Sequence, residues 1–202
     1  MSFRKEKKFR VTLNEFYILQ RLLDQQGMEE LFKPRVITSI YFDTVDLNMF
    51  KDSEEGVLPR KKVRIRCYNG GEEFILENKT SSIEGRFKVS SKLKNSHSNK
   101  ELLTKNRMDA QYGYIQPTLI VSYERSYFML NEMRITFDKN ITYQNLRYAN
   151  NQKYFDPERV VEVKIPINCP DDFVEKSIPY PTARFSKYSR GLLLSLGELC
   201  EV

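Results

Sequence analysis

Charged and apolar residues alternate along much of the chain, with the period of two that is typical of β-strands with one buried face. Eight runs have this pattern or a β-rich composition, at residues 3–10, 36–43, 61–68, 72–79, 86–91, 118–130, 133–143 and 159–165. Asn69-Gly70-Gly71 separates the third and fourth runs, and Asn131-Glu132 separates the sixth and seventh. Since Asn-Gly is a strong signal for a tight hairpin, the pattern predicts antiparallel pairing of neighbouring strands.

Helical periodicity occurs at fewer places. Thr12 and Glu15 have the spacing of a capping box, in which each side chain accepts a hydrogen bond from a backbone N–H at the start of a helix, and they predict a helix over residues 13–26. Further helices are predicted at residues 99–110, 171–176 and 185–196, together with a helical turn capped by Asp46. We therefore predict an α+β fold: an eight-stranded antiparallel β-barrel with helices packed outside, formed by one domain over residues 1–202.

Acidic and basic residues recur in pairs that are two positions apart. The spacing Glu-x-Lys occurs at Glu6/Lys8, Glu77/Lys79 and Glu162/Lys164, and Arg64 and Arg66 are spaced in the same way. Residues at i and i+2 of a strand lie on one face, so each pair places its charges side by side. A solvated sheet face has the same alternation. Recurrence at distant points of the chain favours a pocket of cations and a few carboxylates, which suits a polyphosphorylated ligand and its divalent metal.

The composition limits the classes of function. The 33 basic and 27 acidic residues give a net charge of +6, which fits nucleic acid, acidic lipid or phosphorylated small molecules as ligands. The spacing of Cys67, Cys169 and Cys200 indicates neither a metal site nor a disulfide framework, and so favours a reducing compartment. No run reaches the roughly 20 apolar residues of a membrane span. We expect a soluble cytoplasmic protein, whose attachment to a membrane would require a partner protein.

The order of the motifs resembles a known family. The motifs are Arg4-x-Glu6-x-Lys8, SIYFDT at 39–44, Arg64-x-Arg66, Glu77-x-Lys79, Tyr123-x-Arg125, Arg134 with Asp138, Glu162-x-Lys164, and Phe185-Ser186-Lys187-Tyr188. Over residues 3–195 this series is similar to the VTC domain, the polyphosphate polymerase branch of the triphosphate tunnel metalloenzymes (CYTH-like superfamily). The resemblance implies an eight-stranded antiparallel tunnel that binds a nucleoside triphosphate with Mn²⁺ or Mg²⁺ and through which polyphosphate leaves.

The resemblance also implies roles for individual residues. The expected catalytic phosphate ligands are Arg64, Arg66, Lys79, Arg125 and Lys187, and the expected further substrate-binding residues are Lys8, Tyr123, Arg134, Lys164, Ser186 and Lys88. Glu162 is the expected metal ligand, and Glu6 is either a second ligand or a counter-charge for the lysines. The segment at residues 86–93 is less basic than the resemblance implies, and strand parity leaves open whether Lys88 or Lys92 fills that place.

Three functional hypotheses remain at this point. The first is a polymerase that transfers the γ-phosphoryl group of ATP to a growing polyphosphate chain, the second is a hydrolase of triphosphate or polyphosphate, and the third is a non-catalytic module that binds polyphosphate or another polyanion. The expected partners are ATP and polyphosphate rather than nucleic acid. No Walker loop occurs, and the one histidine, His97, lies in a polar stretch where we expect it to be exposed. The sequence does not indicate the oligomeric state.

Overall fold

Ten strands and four helices form the part of the chain that the computed structural model describes, residues 4–93, 99–148, 152–170 and 172–199. The strands are β1 Arg4–Val11, β2 Glu29–Asp43, β3 Arg60–Tyr68, β4 Ile75–Ser82, β5 Gly85–Lys92, β6 Arg107–Asp109, β7 Gly113–Leu130, β8 Met133–Asn145, β9 Lys153–Phe155 and β10 Arg159–Pro166. The helices are α1 Leu13–Gln25, α2 Asn48–Glu55, α3 Asn99–Thr104 and α4 Lys187–Leu196.

Each of the eight predicted strands corresponds to one of the eight longer strands. Their hydrogen-bonding order is β1-β10-β8-β7-β2-β3-β4-β5, while β6 pairs with β7 and β9 pairs with β8. The ladders β1–β10, β10–β8, β2–β3, β3–β4 and β4–β5 are antiparallel. Asn69 and Gly70 both have positive φ, as a tight hairpin turn of this handedness requires. The predicted fold class, an antiparallel eight-stranded sheet with accompanying helices, is confirmed.

The chain divides into two compact units, and the first contains Met1–Val36, Tyr123–Ile141 and Phe155–Phe185. The capping box predicted at Thr12 and Glu15 is present at the start of α1. This helix packs Phe16 and Leu19 into a buried core that includes Phe9 of β1 and Val161 of β10. Because successive side chains of a strand point to opposite faces, this packing leaves Glu6 and Lys8 of β1, and Glu162 and Lys164 of β10, on the other face.

The second unit contains Ile37–Ser122, Thr142–Tyr154 and Ser186–Val202. Its core joins β2 and β3 to the helices α2 and α3, and its buried members are Ile40, Phe42, Met49, Val63, Ile65, Leu102 and Ile115. Tyr41 and Phe42 are buried, as we expected. A Cβ at Gly191 of α4 would overlap the Tyr143 ring, so glycine at this position permits the close approach of α4 to β8. The prediction of one domain over residues 1–202 stays a prediction.

Several predicted boundaries are wrong. Helix α3 ends at Thr104 instead of near residue 110, because residues 107–109 pair with residues 113–115 in a short hairpin. Residues 172–177 form turns rather than a helix, and β2 begins at Glu29 instead of residue 36. Asp46 does not cap α2. The carboxylate of Asp43 does so instead, because it accepts hydrogen bonds from the backbone N–H groups of Met49 and Phe50.

Cys67 and Cys169 are free thiols, whereas Cys200 and His97 lie outside the described residues. Within the described ranges, no helix combines the length and the apolar character that crossing a membrane requires.

Candidate functional site

Four side chains of alternating charge lie on one face of the β1–β10 ladder in the first unit. In the register of the two strands, Lys8 is opposite Glu162 and Glu6 is opposite Lys164. The Lys8 Nζ lies 3.2 Å from Glu6 Oε1 and 3.9 Å from Glu162 Oε2. The Lys164 Nζ lies 3.0 Å from Glu162 Oε1 and 3.9 Å from Glu6 Oε2. Each lysine therefore contacts both carboxylates.

The next strand, β8, continues this charged face. Arg134 lies directly opposite Lys164 and Thr136 opposite Glu162. Two cations that face each other across a ladder are destabilising unless negative charge lies near them. Arg134 makes no ion pair with any residue in the described ranges, and its guanidinium lies 5.7 Å from the centre of the Phe32 ring. This position is therefore suited to an anion from outside the chain.

Arg125 of β7 is held by the carboxylate of Asp138 on β8. Its Nε donates to Oδ1 and its Nη2 to Oδ2, both at 2.6 Å, and the Asp138 side chain is completely buried. The guanidinium also lies 5.3 Å from the centre of the Tyr123 ring. Burial alone would lower the pKa of Arg125, but the charge of Asp138 outweighs burial and raises it well above its ordinary value. Arg125 is therefore a fixed, permanent cation.

A cavity of about 170 Å³ is present in the first unit. Its lining residues are Arg125, Tyr127, Arg134, Thr136, Glu162 and Lys164. Burial alone would raise the pKa of Glu162, but the positive charges of Arg125, Lys164 and Lys8 lower it far below its ordinary value. The lining thus combines three cations with one carboxylate that is ionised at neutral pH.

A second cationic cluster lies on β3, β4 and β5 in the second unit. The buried carboxylate of Glu77 is opposite Arg64 in the ladder, and Arg64 Nε donates to its Oε2 at 2.6 Å. Arg66 Nη1 lies 3.8 Å from the same oxygen, and Lys88 forms an ion pair with the other oxygen, Oε1. Burial alone would raise the pKa of Glu77, but Arg64 and Arg66 lower it to about 2. Three cations thus surround one ionised carboxylate.

Aromatic and hydroxyl side chains hold the two arginines of this cluster. Arg64 Nη1 donates to the Tyr41 hydroxyl at 2.8 Å, and Arg66 Nε donates to the Ser39 hydroxyl at 3.2 Å. Tyr41 stacks on Tyr188 of α4, with 4.9 Å between the ring centres. The Tyr188 hydroxyl donates to the Asp43 carboxylate at 2.5 Å. These contacts connect the position of Arg64 to the N-terminus of α2, which Asp43 caps.

Lysines occupy the same position on three adjacent strands of the second unit. Lys79 lies opposite Lys62 in the β3–β4 ladder and opposite Lys88 in the β4–β5 ladder. Lys62 Nζ donates to the Ser186 hydroxyl at 2.8 Å, and this hydroxyl also caps α4 by accepting from the Ser189 backbone N–H. Lys187 is the first residue of that helix. Like charges at adjacent cross-strand positions, beside a helix N-terminus, favour the binding of negative charge.

The structure places the predicted site residues in two sets. The first unit contains Glu6, Lys8, Tyr123, Arg125, Arg134, Glu162 and Lys164, and the second unit contains Arg64, Arg66, Lys79, Lys88, Ser186 and Lys187. Lys88, which contacts Glu77, joins the second set, whereas the exposed Lys92 lies 3.5 Å from the exposed Glu73. The assigned roles of all thirteen residues stay predictions.

Sequence reasoning missed several residues of these sets. Thr136 and Tyr127 line the cavity of the first unit, and Lys62 belongs to the lysine row of the second. The alternation of side chains along each strand could have indicated all three residues. Thr136 lies between Arg134 and Asp138 at the same parity, Tyr127 follows Arg125 by two positions, and Lys62 precedes Arg64 by two.

The carboxylates of the first unit suit a divalent cation only in combination with phosphate. The described residues contain no group of three or more His, Cys, Asp or Glu side chains arranged to hold a metal. Glu162 and Glu6 together offer two carboxylates, both beside lysines. Because Mg²⁺ typically takes one or two carboxylates with substrate phosphates as further ligands, this donor set fits the ion when phosphate oxygens complete the coordination.

Comparison with known families assigns the chain. The VTC domain family model matches residues 3–196. The chain belongs to the VTC domain family. The family membership that the motifs indicated is therefore confirmed. This VTC domain protein has the tunnel fold and belongs to the proteins that handle phosphate compounds. No curated protein matches the chain by sequence.

Solved structures share the fold of this VTC domain protein at low sequence identity. One is a protein from Hippeastrum named as an adenylyl cyclase with a dominant triphosphatase activity, which is 15% identical with a TM-score of 0.57, covering 98% of both chains. A conserved protein from Pyrococcus furiosus is 14% identical with a TM-score of 0.57, covering 92% of this chain and 99% of its own. A protein from Bacillus halodurans named as an adenylate cyclase is 12% identical with a TM-score of 0.54, covering 98% of this chain and 91% of its own. At these identities the likeness supports the tunnel fold alone.

Proposed function

We propose that this protein is a polyphosphate polymerase, which transfers the γ-phosphoryl group of ATP to the end of a polyphosphate chain. The observation that carries the proposal is the placing of cations directly opposite one another, Arg134 with Lys164 in the first unit and Lys62 with Lys79 and Lys88 in the second. Cations that face each other repel, although Lys164 and Lys88 also contact carboxylates of the chain. Bound phosphates, which carry one or more negative charges each, would reduce this repulsion.

The arginines favour a phosphorylated ligand over a simple counter-ion. Arg64, Arg66 and Arg125 are largely buried and are held by Glu77 or Asp138, so their guanidinium planes are fixed before a ligand binds. A fixed guanidinium can donate two hydrogen bonds to the oxygens of one phosphate. Each unit thus offers fixed donors that suit the phosphate groups of ATP or polyphosphate.

The transfer requires little covalent chemistry from the protein. A terminal oxygen of polyphosphate attacks the γ-phosphorus of ATP, the bond from that phosphorus to the β,γ-bridging oxygen breaks, and ADP leaves with the electron pair. The attacking oxygen is already ionised at neutral pH, so no base is needed and no proton is released. Positioning and charge neutralisation by the arginines and lysines supply most of the catalysis in reactions of this kind.

Glu162 and Glu6 are the proposed ligands for Mn²⁺ or Mg²⁺. When bound, the ion supplies additional positive charge to the phosphate oxygens. Glu162 is suited to this task because the surrounding cations keep it ionised at neutral pH. The two lysines that now contact it, Lys8 and Lys164, would then turn to the phosphates.

The low pKa values of Glu162 and Glu77 favour transfer to phosphate over hydrolysis. A water nucleophile must lose a proton, and a useful general base has a pKa near the working pH. The pKa of Glu162 is far below its ordinary value, and that of Glu77 is about 2, so both are weak bases. Hydrolysis remains the second candidate function because the Hippeastrum protein of the same fold has a dominant triphosphatase activity. With ATP as the donor, the proposed compartment is the cytoplasm.

Gel analysis of the products tests the proposal. The purified protein is incubated with ATP and Mn²⁺, and the products are separated by length. We expect a ladder of polyphosphate together with ADP. Free orthophosphate without a ladder would replace the proposal by hydrolysis, and unchanged ATP with tight binding of polyphosphate would replace it by a non-catalytic binding role.

A further inference from the structure

Two aromatic rings and two guanidiniums form a cluster beside the cavity of the first unit. The rings of Phe32 on β2 and Tyr127 on β7 meet edge to face, with 5.9 Å between their centres. The Arg35 guanidinium lies 5.7 Å from the centre of the Phe32 ring and 5.8 Å from that of Tyr127. Arg134 approaches the Phe32 ring from β8 at 5.7 Å. The cluster is thus built from three strands.

The cluster is accessible and adjoins the charged cavity. Phe32 is 44% exposed, although the ring is large and apolar. Tyr127 and Arg134 belong both to the cluster and to the lining of the cavity. A ligand whose phosphates lie against Arg134 therefore has an aromatic surface within reach of its next group.

The chemistry of the cluster differs from what phosphate needs. Phosphate chains have no flat or apolar part, so an exposed phenylalanine ring contributes nothing to their binding. A nucleobase has a π-face that stacks on aromatic rings and on guanidinium planes, and this stacking is tolerant of base identity. An aromatic and arginine cluster next to a cationic cavity thus matches a nucleoside joined to phosphates.

We propose that Phe32, Arg35 and Tyr127 form the stacking site for the base of the nucleoside triphosphate whose phosphates occupy the adjoining cavity. This inference rests on the proposed use of ATP as the phosphoryl donor. The site would distinguish the donor, which has a base, from the polyphosphate acceptor, which has none. Since the cluster stacks and does not read the edges of the base, GTP should bind about as well as ATP.

Equilibrium binding separates the base from the phosphates. Calorimetric titrations with ATP and with inorganic tripolyphosphate, in buffer with EDTA to limit turnover, compare a ligand that has a base with one that lacks it. Phe32→Ala should weaken ATP binding about tenfold, since stacking on an aromatic side chain contributes about that much, and should leave tripolyphosphate binding unchanged. Phe32→Trp keeps a flat ring and should retain ATP affinity.

Phe155→Ala is the matched control, because this ring is 71% exposed in the same unit and lies outside the cluster. It should change the affinity for neither ligand. Equal weakening of ATP and tripolyphosphate by Phe32→Ala, or no weakening of ATP, would overturn the stacking site and leave the proposed function standing. Failure of the unmodified protein to bind either ligand, both in EDTA and with Mn²⁺ present, would overturn both. Retained tripolyphosphate binding shows in addition that each variant is folded.

Discussion

Arg125 and Asp138 are joined side-on by two hydrogen bonds of equal length, 2.6 Å, across the β7–β8 pair. The side chain of Asp138 is completely buried, and that of Arg125 is 13% exposed. A buried ion pair is costly to break, because the remaining partner keeps its charge without compensation. The pair therefore both fixes Arg125 at the cavity and makes the fold depend on it.

Replacing Asp138 tests this dependence. Asp138→Asn should lower the free energy of unfolding by about 3 kcal/mol, because it removes the carboxylate that forms both hydrogen bonds with the buried Arg125 guanidinium. Urea denaturation measures the change. Asp172→Asn is the control, since its ion pair with Lys176 is exposed, and it should cost less than about 0.5 kcal/mol. Equal losses in the two variants would contradict the structural importance of the buried pair.

Arg66 is the residue of the second unit whose replacement is most informative. Arg66→Ala should lower ATP turnover about 10- to 100-fold, the loss expected for a charge-assisted hydrogen bond to substrate. Arg64 and Lys88 would still hold Glu77, so the protein should remain folded by circular dichroism. Arg64→Ala should also lose turnover, though it removes the closest partner of Glu77. Arg21→Ala is the control, because this side chain lies on the exposed side of α1, and it should leave turnover unchanged. Loss of activity in Arg21→Ala would indicate that turnover depends on the overall positive charge of the protein rather than on this site.

The metal assignment predicts a separation of activity from binding. Glu162→Gln keeps the size of the side chain but loses its charge, so activity should fall most at limiting Mn²⁺. Binding of polyphosphate should persist or increase, because a negative charge leaves a cavity lined by cations. Titration of activity against Mn²⁺, paired with polyphosphate binding, measures both. Glu124→Gln is the control, as this carboxylate is 44% exposed and contacts Lys139. Wild-type turnover by Glu162→Gln at limiting Mn²⁺ would show the assignment to be wrong.

Tyr41 should titrate at an unusually low pH for a buried tyrosine. Burial alone would raise its pKa, but the charges of Arg64 and Arg66 and the hydrogen bond from Arg64 lower it to about 8. The near-ultraviolet absorbance of phenolate should therefore increase by the amount of one tyrosine as the pH rises through 8. Tyr41→Phe should remove this step, and Arg64→Met should move it to higher pH. A step that persists in Tyr41→Phe would contradict the assignment.

The faces of the strands could be predicted from the sequence because the period of two is strict. Arg64 and Arg66 were expected to share a face, and the structure brings both to Glu77. The same rule could not choose between Lys88 and Lys92, which lie on one face of β5. The register of the β4–β5 ladder places Glu77 opposite Ser90, midway between the two lysines, so only the ion pairs distinguish them: Lys88 contacts Glu77, and Lys92 lies beside Glu73.

Contacts between distant parts of the chain could not be predicted. The stacking of Tyr41 on Tyr188 joins a strand to a helix far along the sequence, and no local pattern specifies it. The helix expected at residues 99–110 was wrong because pairing of residues 107–109 with β7 prevailed over helical propensity. Phe32 was missed because β2 was expected to begin at residue 36, after this ring.

Transfer of labelled phosphate tests the central claim most directly. The protein is given ATP labelled in its γ-phosphate, Mn²⁺, and an unlabelled polyphosphate of defined length. If the chain is a polymerase, the label should appear in products longer than the acceptor by one or more units, with one ADP formed for each labelled phosphate incorporated. Label found only in orthophosphate, while the acceptor keeps its length, would contradict the account.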